Sequence, residues 1–200
     1  MSGSNRIEIS YGRGQLAINL PPHAQPNIIR KPYIPKIADP IGAVIEALDS
    51  PIRARRLKDA GSGKRTACIL ICDITRPVPN KLFLRPMIEE LAEAGLPLDG
   101  ITVLVATGLH RPNEGDELRE VVGDDWVLEN VSVENHFARD GAAHVDLGMT
   151  PRHGVPIKLD RRFVGADIRI VTGLVEPHFM AGWSGGRKVI APGVAHEDTI

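Results

Sequence analysis

The sequence lacks an excess of charge of either sign. Twenty-four basic and 25 acidic residues leave a formal net charge of −1, so no overall basic balance points to nucleic acid or an anionic membrane. Long apolar runs are also missing. The longest, such as ACILIC and ITVLVA, fall far short of the ~20 residues a membrane span needs, and MSGSNRIEIS at the N-terminus has no apolar signal core. The expectation is a soluble, cytoplasmic protein with a small polar partner, without nucleic acid or membrane contact. Cysteine is scarce as well. Cys68 and Cys72 are the only two, both lie inside TACILICD, and two thiols alone make a poor metal site, so both are expected to pack as small hydrophobes. No repeat or low-complexity tract occurs. Two nucleotide signatures fail on their residues. From Gly182 the frame GWSGGRKV puts Arg187 where a phosphate loop needs glycine and Val189 where it needs a hydroxyl, and no G-x-G-x-x-G follows a strand.

What is present has the order of an α/β domain, and 200 residues suffice for one well-buried domain or for one domain and the start of another. RIEIS and QLAIN alternate around YGRG, which predicts an N-terminal β-hairpin. The proline-rich PPHAQPNIIRKPYIP reads as extended chain. Asp39-Pro40 and then Ser50-Pro51 each place a cap and a first-turn proline before a short helix. From Thr66 the pattern becomes strand, loop, helix, strand: TACILICD, ITRPVPN, KLFLRPMIEELAEAG with Asn80 as cap and Gly95 as stop, and ITVLVATG. Continuously apolar strands around a helix predict a βαβ unit in a mostly parallel sheet. A second helix near 114–122, a strand at VSVENH, a polar hairpin from VDLGMT and VPIKLD, and a buried strand ADIRIVTGL complete the pattern. AHEDTI after Gly193 reads as the first turn of a helix, with His196 exposed, so the chain is expected to be a fragment.

Ligands of open α/β sheets bind beyond the carboxyl ends of the strands, and three loops leaving such ends carry chemistry. DITRPVPNK holds Asp73, Thr75 and Arg76 between stiffening prolines. Arg76 is suited to clamping a carboxylate or phosphate, or to being a solvated loop charge. TGLHRPN presents His110, whose side-chain class transfers protons near neutral pH, although a lone loop histidine is often merely exposed. EPHFMAGWSGGRK gathers His178, Trp183, Ser184, Gly185, Gly186, Arg187 and Lys188. A Ser-Gly-Gly turn lets backbone N–H groups approach a phosphate or flat ring, or makes a plain tight turn beside a surface lysine. Trp183 fits either a cofactor lining or simple packing.

DITRP, TGLHRP and EPHFMAGWSGGRK, in this order and with these separations, resemble the nickel-dependent lactate racemase family, the LarA-like proteins, from the Thr66 strand onward. The resemblance implies a LarA-like N-terminal catalytic domain over residues 1–200, incomplete at its C-terminal end, of a two-domain α/β enzyme with its site between the domains. It implies racemisation or epimerisation of a small-molecule 2-hydroxy acid with a nickel-pincer nucleotide, attached through Lys188 and supplied by cofactor biosynthesis proteins. In that scheme His110 and His178 are the paired acid/base residues, Asp73 and Arg76 lie near cofactor and substrate, and Ser184, Gly185 and Gly186 lie beside the tethered ring. Hydride leaves the substrate carbon for the cofactor while a histidine takes the hydroxyl proton, giving a planar 2-keto acid open on both faces. The family's nickel-ligating histidine lies beyond Ile200, so no metal ligand is assigned here and His196 is not given that part. The alternative is a noncatalytic remnant or half-enzyme that binds an anionic metabolite or pairs with a separate second-domain chain. An unrelated α/β module for a phosphorylated metabolite is a third reading.

Overall fold

Five consecutive residues of the run Ala67–Cys72 are buried, which requires a strand with neighbours on both sides and cover on both faces. The computed structural model describes residues 6–30 and 32–200, and there this run is strand β3. It lies at the centre of a four-stranded parallel sheet, between β4 (Ile101–Ala106) and β8 (Ile168–Val171), with β5 (Ser132–Asn135) outside β4. The sheet order is therefore β5-β4-β3-β8. Ala67 pairs with Ile101 and Cys72 with Ala106, so β3 and β4 end level with each other and release their following loops at the same edge.

Side chains alternate between the two faces of the sheet. Ile69, Ile71, Val103 and Val105 face helices, where they meet Leu84, Ile88 and Leu91 of α3 (Leu84–Glu93), Val122 of α4 (Gly115–Val122) and Val127 of α5 (Asp125–Asn130). Leu84, Met87, Ile88 and Leu91 are the buried residues of α3, an i, i+3, i+4, i+7 stripe that presents one helix face to the sheet. Truncating Leu91 to alanine would cost about 2–5 kcal/mol. On the other face Cys68, Leu70 and Leu104 pack against Phe163 and Ala166, at and just beyond α6 (Arg161–Gly165), and against Val189 and Val194. The segment carrying Lys188 is thus anchored by the core immediately after it.

Several local expectations hold. Asp39 Oδ1 accepts the Gly42 N–H at 2.9 Å with Pro40 opening α1 (Pro40–Asp49). Gly95, at φ +99°, ends α3 with its N–H on Ala92 O and the Leu96 N–H on Leu91 O, a Schellman arrangement. The expected hairpin is β1 (Arg6–Tyr11) paired with β2 (Gly14–Asn19); the extended proline-rich stretch has no regular element, and its Lys31 lies outside the described residues. The polar hairpin is β6 (His144–Met149) with β7 (Pro156–Asp160). Chain contacts divide the molecule into two units, Met1–Lys36 and Ile37–Ile200; the sheet and every feature below belong to the second.

Others are corrected. Ser50-Pro51 starts no helix: Ser50 closes α1, Arg53 takes φ +53°, and helix α2 begins only at Leu57 and runs to Gly61. Asn80 does not cap α3. It opens a 3-10 turn, and its Nδ2 donates to Val121 O; an earlier helix start would place Pro86 beyond the first turn, where its ring clashes with the preceding turn. β8 is an edge strand and only partly buried. AHEDTI folds back: Ala195 bridges Leu159, His196 N–H donates to Lys158 O, and Glu197–Thr199 form a 3-10 turn. His196 is buried against the ring of His144, not exposed.

Candidate active site

The loops after β3, β4 and β8 converge on one cavity of about 590 Å³, whose wall includes Asp73, Arg76, His110, His178, Ser184, Gly185 and Lys188. That volume is within the usual range for small-molecule and cofactor sites. Gly186 is next to this wall without lining it, and Trp183 is exposed outside it. Cys72 lines the cavity and is half-buried, whereas Cys68 is in the core.

Asp73 is 5% exposed at the start of its loop. Its Oδ1 accepts the Thr75 N–H at 3.1 Å and the Thr75 hydroxyl at 2.5 Å, while Oδ2 lies 2.5 Å from His110 Nδ1. The carboxylate can only accept, so the His110 Nδ1 carries the proton and Nε2 keeps the lone pair. His178 has the opposite arrangement. Its Nδ1 accepts the Met180 N–H at 3.2 Å and the Ala181 N–H at 3.1 Å, which leaves the proton on Nε2. The two histidines that the sequence singles out are therefore set as complementary tautomers by their own loops.

Ser184 is buried and its hydroxyl is fully engaged, donating to Leu174 O at 2.5 Å and accepting the Glu176 N–H at 3.1 Å. It ties β10 (Gly182–Trp183), the strand of the hairpin opposite β9 (Pro177–His178), to the exit of β8. Gly185 and Gly173 approach so closely that a Cβ on Gly173 would stand 3.1 Å from Gly185 Cα. Glycine at both positions lets the Lys188 loop press onto the sheet edge. Farther on, a Cβ on Gly193 would meet Val189 O at 2.0 Å, and the Gly108 N–H donates to Gly193 O, which joins the His110 loop to the Lys188 loop.

The wall carries two cationic side chains, Arg76 and Lys188, and the carboxylate of Asp73. Arg76 lies 3.8 Å from Glu176 and donates to Thr75 O. Lys188 makes no ion pair among the described residues, and desolvation first, then the nearby Arg76, lower its pKa below the ordinary lysine value. Burial likewise raises the Cys72 thiol above its usual range and pushes Cys68 up to about 12. No group of three or more His, Cys, Asp or Glu among the described residues is arranged to hold a metal.

Within and behind the wall stand residues to which the sequence reading gave no role. Asn113 is buried between the first two loops, and Thr107 donates to His136 O at 2.7 Å. His136 itself contacts His144 through their Nε2 atoms at 3.0 Å. Asn113 stands in the quoted motif TGLHRPN, but its partner Ile74 is 39 residues away, and no local pattern reveals that pairing.

Residues 11–200 match the family described as the lactate racemase N-terminal domain. The lactate racemase of Thermoanaerobacterium thermosaccharolyticum is 35% identical over 197 residues, covering 97% of this chain and 45% of that protein. The lactate racemase of Lactiplantibacillus plantarum is 36% identical over 157 residues, covering 78% and 36%. The structure of the lactate racemase apoprotein from T. thermosaccharolyticum superposes with a TM-score of 0.78 at 34% identity, over 96% of this chain and 44% of that one. A Thermotoga maritima protein structure, 24% identical with a TM-score of 0.64 over 79% of this chain and 39% of that one, shares the fold. The chain spans less than half the length of the curated relatives it matches.

Proposed function

This chain belongs to the lactate racemase N-terminal domain family, and from that membership we propose that it is the catalytic N-terminal portion of a racemase or epimerase of 2-hydroxy acids. The domain assignment over residues 1–200 and the roles below are part of the same proposal. The observation that carries it is the meeting of His110, His178 and Lys188 at one cavity, with His110 held by a buried carboxylate.

The cofactor is a nickel-pincer nucleotide joined to Lys188. The residues present fit such a group. A lysine without a carboxylate partner and with lowered basicity has a larger share of free amine for covalent attachment, and the Ser184-Gly185-Gly186 turn beside it offers backbone rather than side chains to a flat ring. When bound, the group supplies a reversible hydride acceptor for the substrate carbon, whose hydrogen an imidazole cannot remove as a proton.

The remaining work falls to this chain. Asp73 keeps the His110 Nδ1 protonated, so Nε2 is free to take the substrate hydroxyl proton. His178 presents Nε2–H from the third loop and serves the opposite hand of the substrate. Arg76 holds the substrate carboxylate, and keeps the planar 2-keto acid in place while it is presented on either face. Cofactor biosynthesis proteins are the partners that load Lys188.

Peptide mass analysis of the full-length protein from its own organism tests this reading. Excess mass on the Lys188 peptide, absent in Lys188→Ala, is the expected result. Unmodified Lys188 in a preparation that racemises 2-hydroxy acids would overturn the cofactor assignment.

A further inference from the structure

Asn113 is 1% exposed, and all four of its polar groups are used. Its Oδ1 accepts the Ile74 N–H at 3.2 Å, and its Nδ2 donates to Glu117 Oε2 at 2.8 Å. Its own N–H donates to Asn135 Oδ1 at 2.9 Å, and its carbonyl accepts from Asn135 Nδ2 at 2.8 Å. One buried side chain therefore joins the residue after Asp73 to a position three residues beyond His110, and a reciprocal amide pair fixes both to the end of β5.

The surroundings make this tie stiff. Pro112 locks φ between His110 and Asn113. Glu117, on α4, is held by both Arg111 amino groups at 2.5 and 2.7 Å as well as by Asn113. These contacts bring the Glu117 carboxyl down to about 2, the Arg111 hydrogen bonds contributing most and Asn113 next. An apolar residue at 113 would strand the Ile74 N–H and take a donor from Glu117, while the bonds to Asn135, made by the backbone of residue 113, would remain, so packing does not account for asparagine here.

We propose that Asn113 is a positioning residue that sets the Asp73–His110 pair by clamping the β3 and β4 exit loops together, with Asn135 as its brace. Calling His110 catalytic rests on the racemase reading; the clamp itself does not. Without it the His110 loop keeps its own turn, His110 N–H to Thr107 O, the Gly108 link to Gly193, the Arg111–Glu117 pair and the backbone bonds of residue 113 to Asn135. None of these touches the Asp73 loop, which leaves the Asp73–His110 contact to hold itself.

The test is proton NMR of the full-length protein with labelled histidine. Wild type is expected to show a downfield, slowly exchanging His110 Nδ1–H resonance. Asn113→Ala should speed its solvent exchange at least about tenfold, as loss of buried hydrogen bonds would, while amide protection of β3 and β4 stays unchanged. Asn113→Asp combined with Glu117→Gln reverses the polarity of that hydrogen bond and should restore the slow resonance. An unchanged resonance in Asn113→Ala overturns the proposal, as does a folded double variant without it. If Asn113→Ala fails to fold, the double variant decides: slow resonance supports the clamp, and its absence or a second failure to fold assigns Asn113 to stability alone. No readout uses turnover, so failure of the racemase reading would be seen separately, as a loaded protein that racemises nothing.

Discussion

His110 Nδ1 and Asp73 Oδ2 lie 2.5 Å apart although their residues are 37 positions apart in the chain and belong to different loops. The register of β3 with β4 makes this possible, because both strands end at the same level and send their loops over one edge. The contact fixes which imidazole nitrogen can receive a proton.

Asp73→Asn tests that contact at the level of chemistry. The amide offers a donor where His110 needs an acceptor, which favours the wrong tautomer. Turnover of the full-length, cofactor-loaded enzyme should fall by about 10²–10⁴-fold, with mass on Lys188 unchanged. A chiral chromatographic assay beside peptide mass analysis measures both; near-normal turnover would remove Asp73 from the account.

Nitrogen-15 spectra of labelled histidine should show opposite tautomers, with His110 protonated on Nδ1 and His178 on Nε2. For His178 to pass its Nε2 proton and remain neutral, the ring must first be doubly protonated, so the Met180 and Ala181 amides have to release Nδ1 during turnover. Stiffening the hairpin with Ala181→Pro removes one of those amides and should alter the His178 signal without moving that of His110. Matching tautomers in the resting protein would contradict the assignment.

Acid stability should report the buried histidines. Desolvation foremost, with the neighbouring His144, Arg162 and His196 adding to it and Asp160 opposing, lowers His136 from 6.5 to about 4. Its N–H then donates to His144 Nε2, because the His144 Nδ1–H is spent on Asp140 O at 2.7 Å. The unfolded chain binds a proton at this residue between pH 6.5 and about 4 and the folded chain does not, so stability falls as pH drops through that window. The loss is on the order of 2 kcal/mol. Denaturant titrations at pH 7.5 and 4.5 should show it, and His136→Gln, which keeps an N–H for His144, should show markedly less of it.

Thiol labelling distinguishes the two cysteines. With iodoacetamide at pH 8 the native protein should leave Cys68 unmodified and modify Cys72 slowly, since burial raises both thiols and only Cys72 reaches the cavity. Denatured protein should label at both. Fast native labelling at Cys68 would contradict the core assignment.

The sheet and the meeting of the three loops were legible in the sequence because continuous apolar runs fix a parallel sheet, and a parallel sheet gathers the loops that follow its strands. Asp39-Pro40 and Gly95 were legible for local reasons, cap and stop. Ser50-Pro51 carried the same local signal, but Arg53 turned left-handed and no apolar stripe followed until Leu57. His196 read as exposed because nothing local announces that its strand-like backbone pairs with Lys158. Ser184 lines the cavity in the turn that the sequence points to, and the engagement of its hydroxyl by Leu174 and Glu176 is a contact that no local pattern announces. Asn113 was passed over for the same reason, its role being set by a partner in another loop.

Chiral analysis of enantiopure 2-hydroxy acids incubated with the full-length, cofactor-loaded protein tests the central claim most directly. The account predicts that lactate or a close 2-hydroxy acid approaches a racemic mixture from either hand, and that His110→Ala stops this while leaving Lys188 loaded. A loaded protein that leaves every such acid enantiopure would contradict it.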